Sequence, residues 1–149
     1  MGSERDLHTP LCALLGCRYP ILQAGMGGVA RSELVAAVIE AGGYGFLGMV
    51  RETPDLIAQE IDAVRGRTDA PFGVNLIPAA TDPALLEAEL SICFKKHVHS
   101  LCFFWDVHAD VIARAKAAGC RVLDQVGSVE DAIAADKAGV DAIIAQGWE

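Results

Sequence analysis

The sequence predicts an α/β protein of the TIM-barrel (β/α)8 type, truncated after about six strands. Short apolar runs rich in Val, Ile, Leu and Phe alternate with longer stretches of helical periodicity. The apolar runs lack polar alternation, as expected of parallel strands that are covered on both faces. An open doubly wound sheet shows the same alternation of elements. A complete barrel takes about 250 residues, so this chain of 149 residues holds only part of one.

Six apolar runs are predicted as strands, and five helices are predicted to connect them. The run starts recur roughly every 20–28 residues, which is the size of a βα unit. No linker or low-complexity stretch interrupts the alternation, so we expect one folding unit over residues 1–149. The predicted strands are Pro20–Ala24, Tyr44–Gly48, Phe72–Leu76, Ser100–Phe104, Arg121–Gln125 and Ala142–Gln146.

Helix start signals precede four of the predicted helices. Two of them join an N-cap residue to a proline at the first helical position, and one resembles a capping box closed by a later glycine. The predicted caps are Ser32 for Glu33–Ala41, Thr53 before Pro54, Asp82 before Pro83, and Ser128 with Asp131 for Val129–Ala138.

Charge and composition argue against several classes of partner. The chain has 20 acidic and 12 basic residues, a net charge of -8. Nucleic acids and anionic membranes attract clustered Lys and Arg, so neither is an expected partner. No apolar run approaches the roughly 20 residues of a membrane span. Five cysteines, an odd number without zinc-site spacing, are predicted to be reduced in a cytoplasmic protein.

In a barrel, function lies at the carboxyl ends of the strands. The first predicted strand is followed by a glycine-rich turn that lets the backbone approach a ligand closely, although it lacks the GxGxxG spacing of a dinucleotide fingerprint. Amides at later strand ends can both donate and accept hydrogen bonds, or simply cap loops. The residues concerned are Gly25, Met26, Gly27 and Gly28 in the turn, and the amides Asn75, Gln125 and Gln146.

Other polar groups near the strand ends indicate no reaction. His97, His99 and His108 have no carboxylate at a clear metal-ligand spacing, so no metal site is predicted. Asp106 follows the fourth strand directly, where it is either a functional carboxylate or the cap of the next helix. Trp105 lies beside it and is a candidate pocket wall. The residues alone therefore predict a ligand site at the strand ends, and no more.

Four motifs in the same order and spacing resemble the nitronate monooxygenases, formerly called 2-nitropropane dioxygenases. The resemblance covers the chain from about Leu11 to its last residue. The motifs are PILQAGMG from Pro20, AGGYG from Ala41, PFGVNL from Pro71 and DAIIAQGWE from Asp141.

This resemblance implies a barrel that binds FMN and oxidises alkyl nitronates, such as propionate 3-nitronate, with O2 to a carbonyl compound and nitrite. Gly25, Met26 and Gly27 would contact the flavin through their backbone, Asn75 and Gln125 would hydrogen-bond its rings, and Gln146 would lie beside it. The family's catalytic histidine ends a Glu-Ala-Gly-Gly-His run that begins here at Glu149, so no catalytic residue is predicted within the chain. The family's phosphate-binding loops follow strands seven and eight, which are also absent.

Two other hypotheses remain open from the sequence. A flavin-dependent enoyl-ACP reductase that uses NAD(P)H shares the barrel and the early motifs. A non-catalytic half-barrel would be an association module, because the edges of its first and sixth strands would be free to pair with a second copy.

Overall fold

The computed structural model describes residues 7–146, and its six strands form one parallel sheet. Helices connect each strand to the next, as the alternation of apolar runs and helical periodicity predicts. The elements are α1 Pro10–Leu15, β1 Leu22–Gln23, α2 Ser32–Glu40, β2 Tyr44–Gly48, α3 Pro54–Arg65, β3 Gly73–Asn75, a 3-10 helix Pro78–Ala80, α4 Pro83–Lys95, β4 Ser100–Phe104, α5 Ala109–Ala117, β5 Arg121–Val126, α6 Val129–Ala138 and β6 Ala142–Ala145.

The strand order distinguishes the two architectures that the sequence allows. The strands lie side by side in chain order from β1 to β6, and every neighbouring pair is parallel. A doubly wound sheet reverses its strand order at a switch point, whereas a (β/α)8 barrel adds each strand beside the last. The fold is therefore a curled half-barrel of the TIM type. Within residues 7–146, β1 and β6 each have one strand neighbour, and association through these edges stays a prediction.

The strand predictions agree with the structure at β2 and β4 and differ in length elsewhere. β1 covers only Leu22–Gln23, and the proline at the predicted start, position 20, has no N–H to donate to a strand neighbour. β3 is shortened to Gly73–Asn75, while β5 extends by one residue to Val126. The sixth strand ends at Ala145, and the backbone N–H of Gln146 still donates to the carbonyl of Val126 at 3.0 Å.

Three predicted helix caps are confirmed. The side chain of Thr53 accepts a hydrogen bond from the Leu56 N–H, and that of Asp82 accepts from Ala84 and Leu85. Ser128 accepts from the Asp131 N–H at 3.0 Å. These side chains satisfy N–H groups that the first turn of a helix leaves without partners.

The predicted Ser32 cap is wrong. Ser32 is the first residue of α2, and the N-cap position is held by Arg31, whose side chain makes no capping hydrogen bond. The Ser32 N–H instead donates to the carboxylate of Glu60 on α3 at 2.7 Å. A carboxylate at this position also interacts favourably with the helix dipole. Glu60 on α3 therefore caps the start of α2 in place of a side chain from the same segment.

Helix α1 precedes the first strand and was not predicted. It starts with proline at position 10, preceded by Thr9 at the N-cap, and ends at Gly16 in the left-handed conformation. Leu15 is fully buried and packs into the cluster inside the barrel, with Leu11 and Leu14 against it. The helix thus closes the amino-terminal end of the barrel interior.

Alternating strand residues face two separate layers. The outward-facing side chains pack with the helices in a large core that includes Leu47, Val74 and Phe103. The inward-facing side chains form a smaller cluster around Phe46 and Leu123. Side chains alternate along a strand. The inward-facing residues nearest the carboxyl end of each strand therefore face the barrel interior at that end. That is where the candidate site lies.

Within residues 7–146, the longest helix has 13 residues, and none has both the length and the apolar character to cross a membrane.

The five cysteines are unpaired in the structure, four of them buried. Burial holds their thiols away from solvent, as expected of small apolar core residues.

Candidate active site

A cavity of about 570 Å³ opens at the carboxyl ends of the strands. Its volume lies within the range of about 300–1,000 Å³ that is typical of small-ligand sites. Five of the six residues predicted to contact a cofactor line it, together with apolar side chains from the inward rows. The lining residues are Leu22, Gln23, Ala24, Gly25, Gly27, Phe46, Val50, Arg51, Asn75, Ile77, Cys102, Phe104, Gln125, Ile144 and Gln146.

Gly25 packs directly against Asn75, and both residues line this cavity. A Cβ at position 25 would lie 2.3 Å from the Asn75 Cβ and 2.9 Å from its Cγ. No side chain can occupy that space, so the backbone of the β1–α2 loop approaches the end of β3 closely. Glycine is therefore required at position 25 for the loop to pack against Asn75.

Met26 is placed differently from its two glycine neighbours. Its N–H donates to the Ala24 carbonyl at 3.0 Å, and its carbonyl accepts from the Ala30 N–H at 2.8 Å. Its side chain is 43% exposed and is not among the residues that line the cavity. The Met26 carbonyl packs against Gly48, and a Cβ added at Gly48 would lie 2.3 Å from the carbonyl oxygen. The role of Met26 in cofactor binding stays a prediction.

The three amides are held at the strand ends in different ways. Asn75 is 9% exposed, and its Nδ2 donates to the Cys102 carbonyl at 3.0 Å. Gln125 is half-buried on β5, next to Phe104 in the sheet register. Gln146 is exposed at the end of β6. Asn75 is thus held in place by β4, while Gln125 lies on β5 and Gln146 directly follows β6.

Gln125 and Gln146 also line a second cavity of about 370 Å³ beside the first. Its other walls include Trp105, which is 53% exposed, and Asp106. Trp105 has a positive φ of 76°, a conformation that few non-glycine residues adopt. Asp106 does not cap the next helix, since His108 holds the N-cap position of α5. Both residues therefore lie at the rim of the ligand-binding region.

Two lining residues with polar atoms were not assigned from the sequence. Gln23 donates through its Nε2 to the Phe46 carbonyl at 3.2 Å, while its buried Oε1 has no partner among the described residues. The Cys102 thiol is buried, and burial raises its pKa to about 12. It stays protonated at neutral pH and is not suited to act as a nucleophile. Gln23 was within reach of sequence analysis, because it directly precedes the glycine-rich turn.

Arg51 was also missed, and it gives the cavity its charge. Among the described residues that line the cavity, it is the only one with an ionised side chain. It lies three residues after β2, in a loop at the same edge of the sheet as the other lining residues. Its position after a strand end was the signal available in the sequence.

The predicted absence of a metal site concerned the histidines around β4. His99 lies at the opposite, amino-terminal end of the barrel, where its Nδ1 is 2.9 Å from the Tyr44 hydroxyl. Burial, and then the charge of Arg121, lower the pKa of His99. No group of three or more His, Cys, Asp or Glu side chains suited to a metal ion occurs among residues 7–146. Trp148 and Glu149, where the catalytic run would begin, lie outside the described residues.

The nitronate monooxygenase family profile matches residues 8–149. The chain belongs to the nitronate monooxygenase family. This family is one of flavin-dependent oxidoreductases, which confirms the resemblance seen in the motifs.

The relatives of this chain include enzymes whose names indicate different activities. The chain is 37% identical over 143 residues to (3aS,4S,5R,7aS)-5-hydroxy-7a-methyl-1-oxo-octahydro-1H-indene-4-carboxyl-CoA dehydrogenase of Mycobacterium tuberculosis, a match that covers 96% of the chain and 39% of the relative. FabK from Thermotoga maritima has a similar structure, with a TM-score of 0.86 and 34% identity, over 93% of the chain and 43% of FabK. Nitroalkane oxidase from Streptomyces ansochromogenes gives a TM-score of 0.79 and 33% identity, over 93% of the chain and 48% of the oxidase. The chain thus spans less than half the length of each of these proteins.

Proposed function

We propose that the protein containing this chain oxidises alkyl nitronates, such as propionate 3-nitronate, with O2 to a carbonyl compound and nitrite, using FMN. The observation that carries this proposal is the cavity that brings together Gly25, Gly27, Asn75, Gln125 and Gln146. These residues come from four separate segments of the sequence. Membership of the nitronate monooxygenase family and similarity to a nitroalkane oxidase support the choice of substrate.

The cavity has the features that an isoalloxazine ring requires. Gly27 lines the cavity, and no atom lies within 4 Å of where its Cβ would be, so a flat ring can approach this backbone closely. Phe46, Phe104 and Ile144 provide apolar walls, and amides lie at the edge. An amide matches a ring edge that carries both donors and acceptors. The residues present therefore fit a flavin ring.

Bound FMN would supply the electron transfer that amino-acid side chains cannot carry out. The chain's own residues would orient the ring. Asn75, already fixed through the Cys102 carbonyl, would hold one edge, and Gln125 would hold the other. The cavity walls would exclude water from the ring face. We propose that the catalytic base and the phosphate-binding loops belong to parts of the protein beyond Glu149, and that this chain is a fragment that is inactive without them.

The test uses the full-length protein that carries this chain, with Gln125→Leu as the variant. Leucine has a similar size but no amide, so loss of hydrogen bonds to the ring is expected to weaken FMN binding by about tenfold. Gln59→Leu makes the same change on the exposed surface of α3 and serves as the control. FMN is identified by release from the denatured protein, and its affinity is measured by fluorescence titration.

Activity is followed as oxygen uptake and nitrite release with propionate 3-nitronate. Oxygen uptake or nitrite release by a protein that contains no bound flavin would contradict the cofactor assignment. A full-length protein that binds FMN but leaves every nitronate unchanged would refute the proposed reaction. Equal FMN affinity in the two variants would refute the role of Gln125.

A second candidate is reduction of a thioester-linked enoyl substrate by NAD(P)H through the flavin, as in an enoyl-ACP reductase. The dehydrogenase relative, whose name includes a carboxyl-CoA group, and the structural similarity to FabK, with a TM-score of 0.86, favour it. Anaerobic mixing with NADH or NADPH separates the two reactions. Rapid bleaching of the flavin absorbance would favour the reductase, and bleaching by a nitronate instead would favour the monooxygenase.

We also propose a cytoplasmic location for the protein. Five unpaired cysteines are typical of a reducing compartment. Fractionation of cells that express the protein would test this, and recovery of the protein outside the cytoplasm would contradict it.

A further inference from the structure

We propose that Arg51 binds the negatively charged group of the substrate and makes the site selective for small planar anions. This inference rests on the proposed function, because it names the residue that would recognise the nitronate oxygens. It also extends to carboxylates, which have the same planar pair of oxygens and the same charge. The evidence is the charge distribution of the cavity and the way in which Arg51 is held.

The cavity carries a single positive charge in a chain that is otherwise acidic. Among its described lining residues, Arg51 is the only charged one, while the net charge of the whole chain is -8. Most of the other lining side chains are apolar or uncharged amides. Charge interactions are stronger beside apolar walls than in water. An anion is therefore the charged ligand that this cavity favours.

The backbone and side chain of Arg51 are both constrained. Its φ of 58° lies in the left-handed region, which a non-glycine residue adopts at an energetic cost. Its Nε donates to the Ala80 carbonyl at 2.6 Å. This bond ties the β2–α3 loop to the short helix after β3. The exposed side chain of Arg51 is thus tethered at its Nε before a ligand binds, which reduces the entropy lost on binding.

The two terminal nitrogens of Arg51 remain available for a ligand. Among the described residues, no acceptor contacts them. Glu52, the adjacent carboxylate, is occupied by Arg31, with 2.5 Å between its Oε1 and the Arg31 Nη2. Planar guanidinium groups bind planar pairs of oxygens through two parallel hydrogen bonds. A nitronate or carboxylate presents such a pair.

The FMN phosphate is another anion that could meet this arginine. Arg51 lines the same cavity as Gly25, Asn75 and Gln125, which the proposed function assigns to the flavin ring. The proposed function assigns the FMN phosphate to loops beyond Glu149, so Arg51 would lie beside the ring and not at the phosphate. We therefore assign Arg51 to the substrate, and the experiment measures substrate and FMN binding separately.

The test compares Arg51→Met with Arg67→Met in the full-length protein. Arg67 is a surface residue paired with Glu33 at 3.3 Å, so its replacement makes the same chemical change away from the cavity. Three quantities are measured: the KM for ethyl nitronate, the Kd of butyrate by calorimetry, and the Kd of FMN by fluorescence. Butyrate is an unreactive anion, so its binding reports on the site without turnover.

In Arg51→Met, the KM for ethyl nitronate and the Kd of butyrate are expected to rise about 10- to 100-fold, the loss expected for a charge-assisted hydrogen bond. The Kd of FMN is expected to stay within about twofold, and Arg67→Met is expected to match the parent protein. Arg51→Lys keeps the charge without the paired geometry, so smaller rises are expected. This second variant provides the comparison if the methionine variant does not fold.

The outcomes separate this inference from the proposed function. Unchanged KM and butyrate affinity in a nitronate-oxidising protein would overturn the role of Arg51 alone. Weaker FMN binding with an unchanged KM would assign Arg51 to the phosphate and overturn the inference. Butyrate binding that depends on Arg51, in a protein that does not oxidise nitronates, would support the anion site and refute the reaction. A parent protein that binds neither anion would overturn both.

Discussion

Replacing Glu89 by glutamine is expected to stabilise the protein relative to the parent, by an amount that increases as the pH rises. Glu89 lies on α4 and is fully buried, with neither carboxylate oxygen in a hydrogen bond of normal geometry within the described residues. Burial raises the pKa of its carboxyl from 4.5 to about 7, although the nearby backbone N–H groups of Arg51 and Glu52 partly oppose this rise. An ionised carboxylate is therefore poorly accommodated in the fold.

The sign of the effect follows from proton binding in the folded and unfolded states. The folded state holds the proton more tightly, so the stabilisation is fully present below pH 4.5 and is lost as the pH rises to about 7. One pKa unit corresponds to about 1.36 kcal/mol, so the loss is about 3 kcal/mol in all. Glutamine resembles the protonated acid and does not ionise. The difference in unfolding free energy between Glu89→Gln and the parent should rise from near zero to about 3 kcal/mol.

Urea unfolding of both proteins, repeated from about pH 4 to about pH 8, measures this difference. The comparison is needed because Asp124 is also buried, and burial raises the pKa of its carboxyl from 3.8 to about 6. That contribution is common to both proteins and cancels in the difference. The control is Glu87→Gln on the same helix, where the exposed carboxylate pairs with Arg114 at 2.7 Å. It should change stability by less than about 1 kcal/mol at every pH. A difference for Glu89→Gln that does not change with pH would refute the reasoning.

Two other changes test the packing of the barrel interior. Gly25→Ala should destabilise the protein by about 1–3 kcal/mol and weaken FMN binding, because the new Cβ would lie 2.3 Å from the Asn75 Cβ; Gly27→Ala, with no atom within 4 Å of its Cβ, should change stability by less than about 0.5 kcal/mol. Urea unfolding of both variants and FMN titration of Gly25→Ala check this, and equal losses of stability in the two variants would contradict the close packing. Tyr44→Phe should cost about 1–3 kcal/mol in thermal unfolding, because it removes the hydroxyl 2.7 Å from the Ser100 Oγ; an unchanged Tm would show that the bond contributes nothing.

Local sequence signals determined most of the elements. The limits of β2 and β4 agree with the apolar runs, because a strand buried on both faces needs apolar residues throughout. The caps at Thr53, Asp82 and Ser128 were also predictable, since each side chain bonds to an N–H two or three residues away. Interactions of such short range are present in any segment that contains the right residues.

Predictions failed where a distant residue replaced a local one. The start of α2 depends on Glu60, which is 28 residues from Ser32 in the sequence and adjacent to it in the fold. Helix α1 was not predicted, although Thr9 and a following proline give it the same start as α3. Its short length makes it dependent on burial of Leu15 inside the barrel.

The residues of the candidate site were likewise predictable where they depend on local sequence, and not where they depend on distant contacts. The sequence by itself determined that glycines and amides end several strands, and parallel strands bring such ends to one edge of a sheet. Only the tertiary structure decided that the strands follow one another in chain order, which closes their inward rows around a cavity. It also placed Met26 away from the cavity lining and Arg51 within it, because the path of a loop depends on contacts such as the bond from Arg51 to Ala80, 29 residues later. A strand end can be recognised from its own residues, but the direction of a loop side chain depends on the residues it meets after folding.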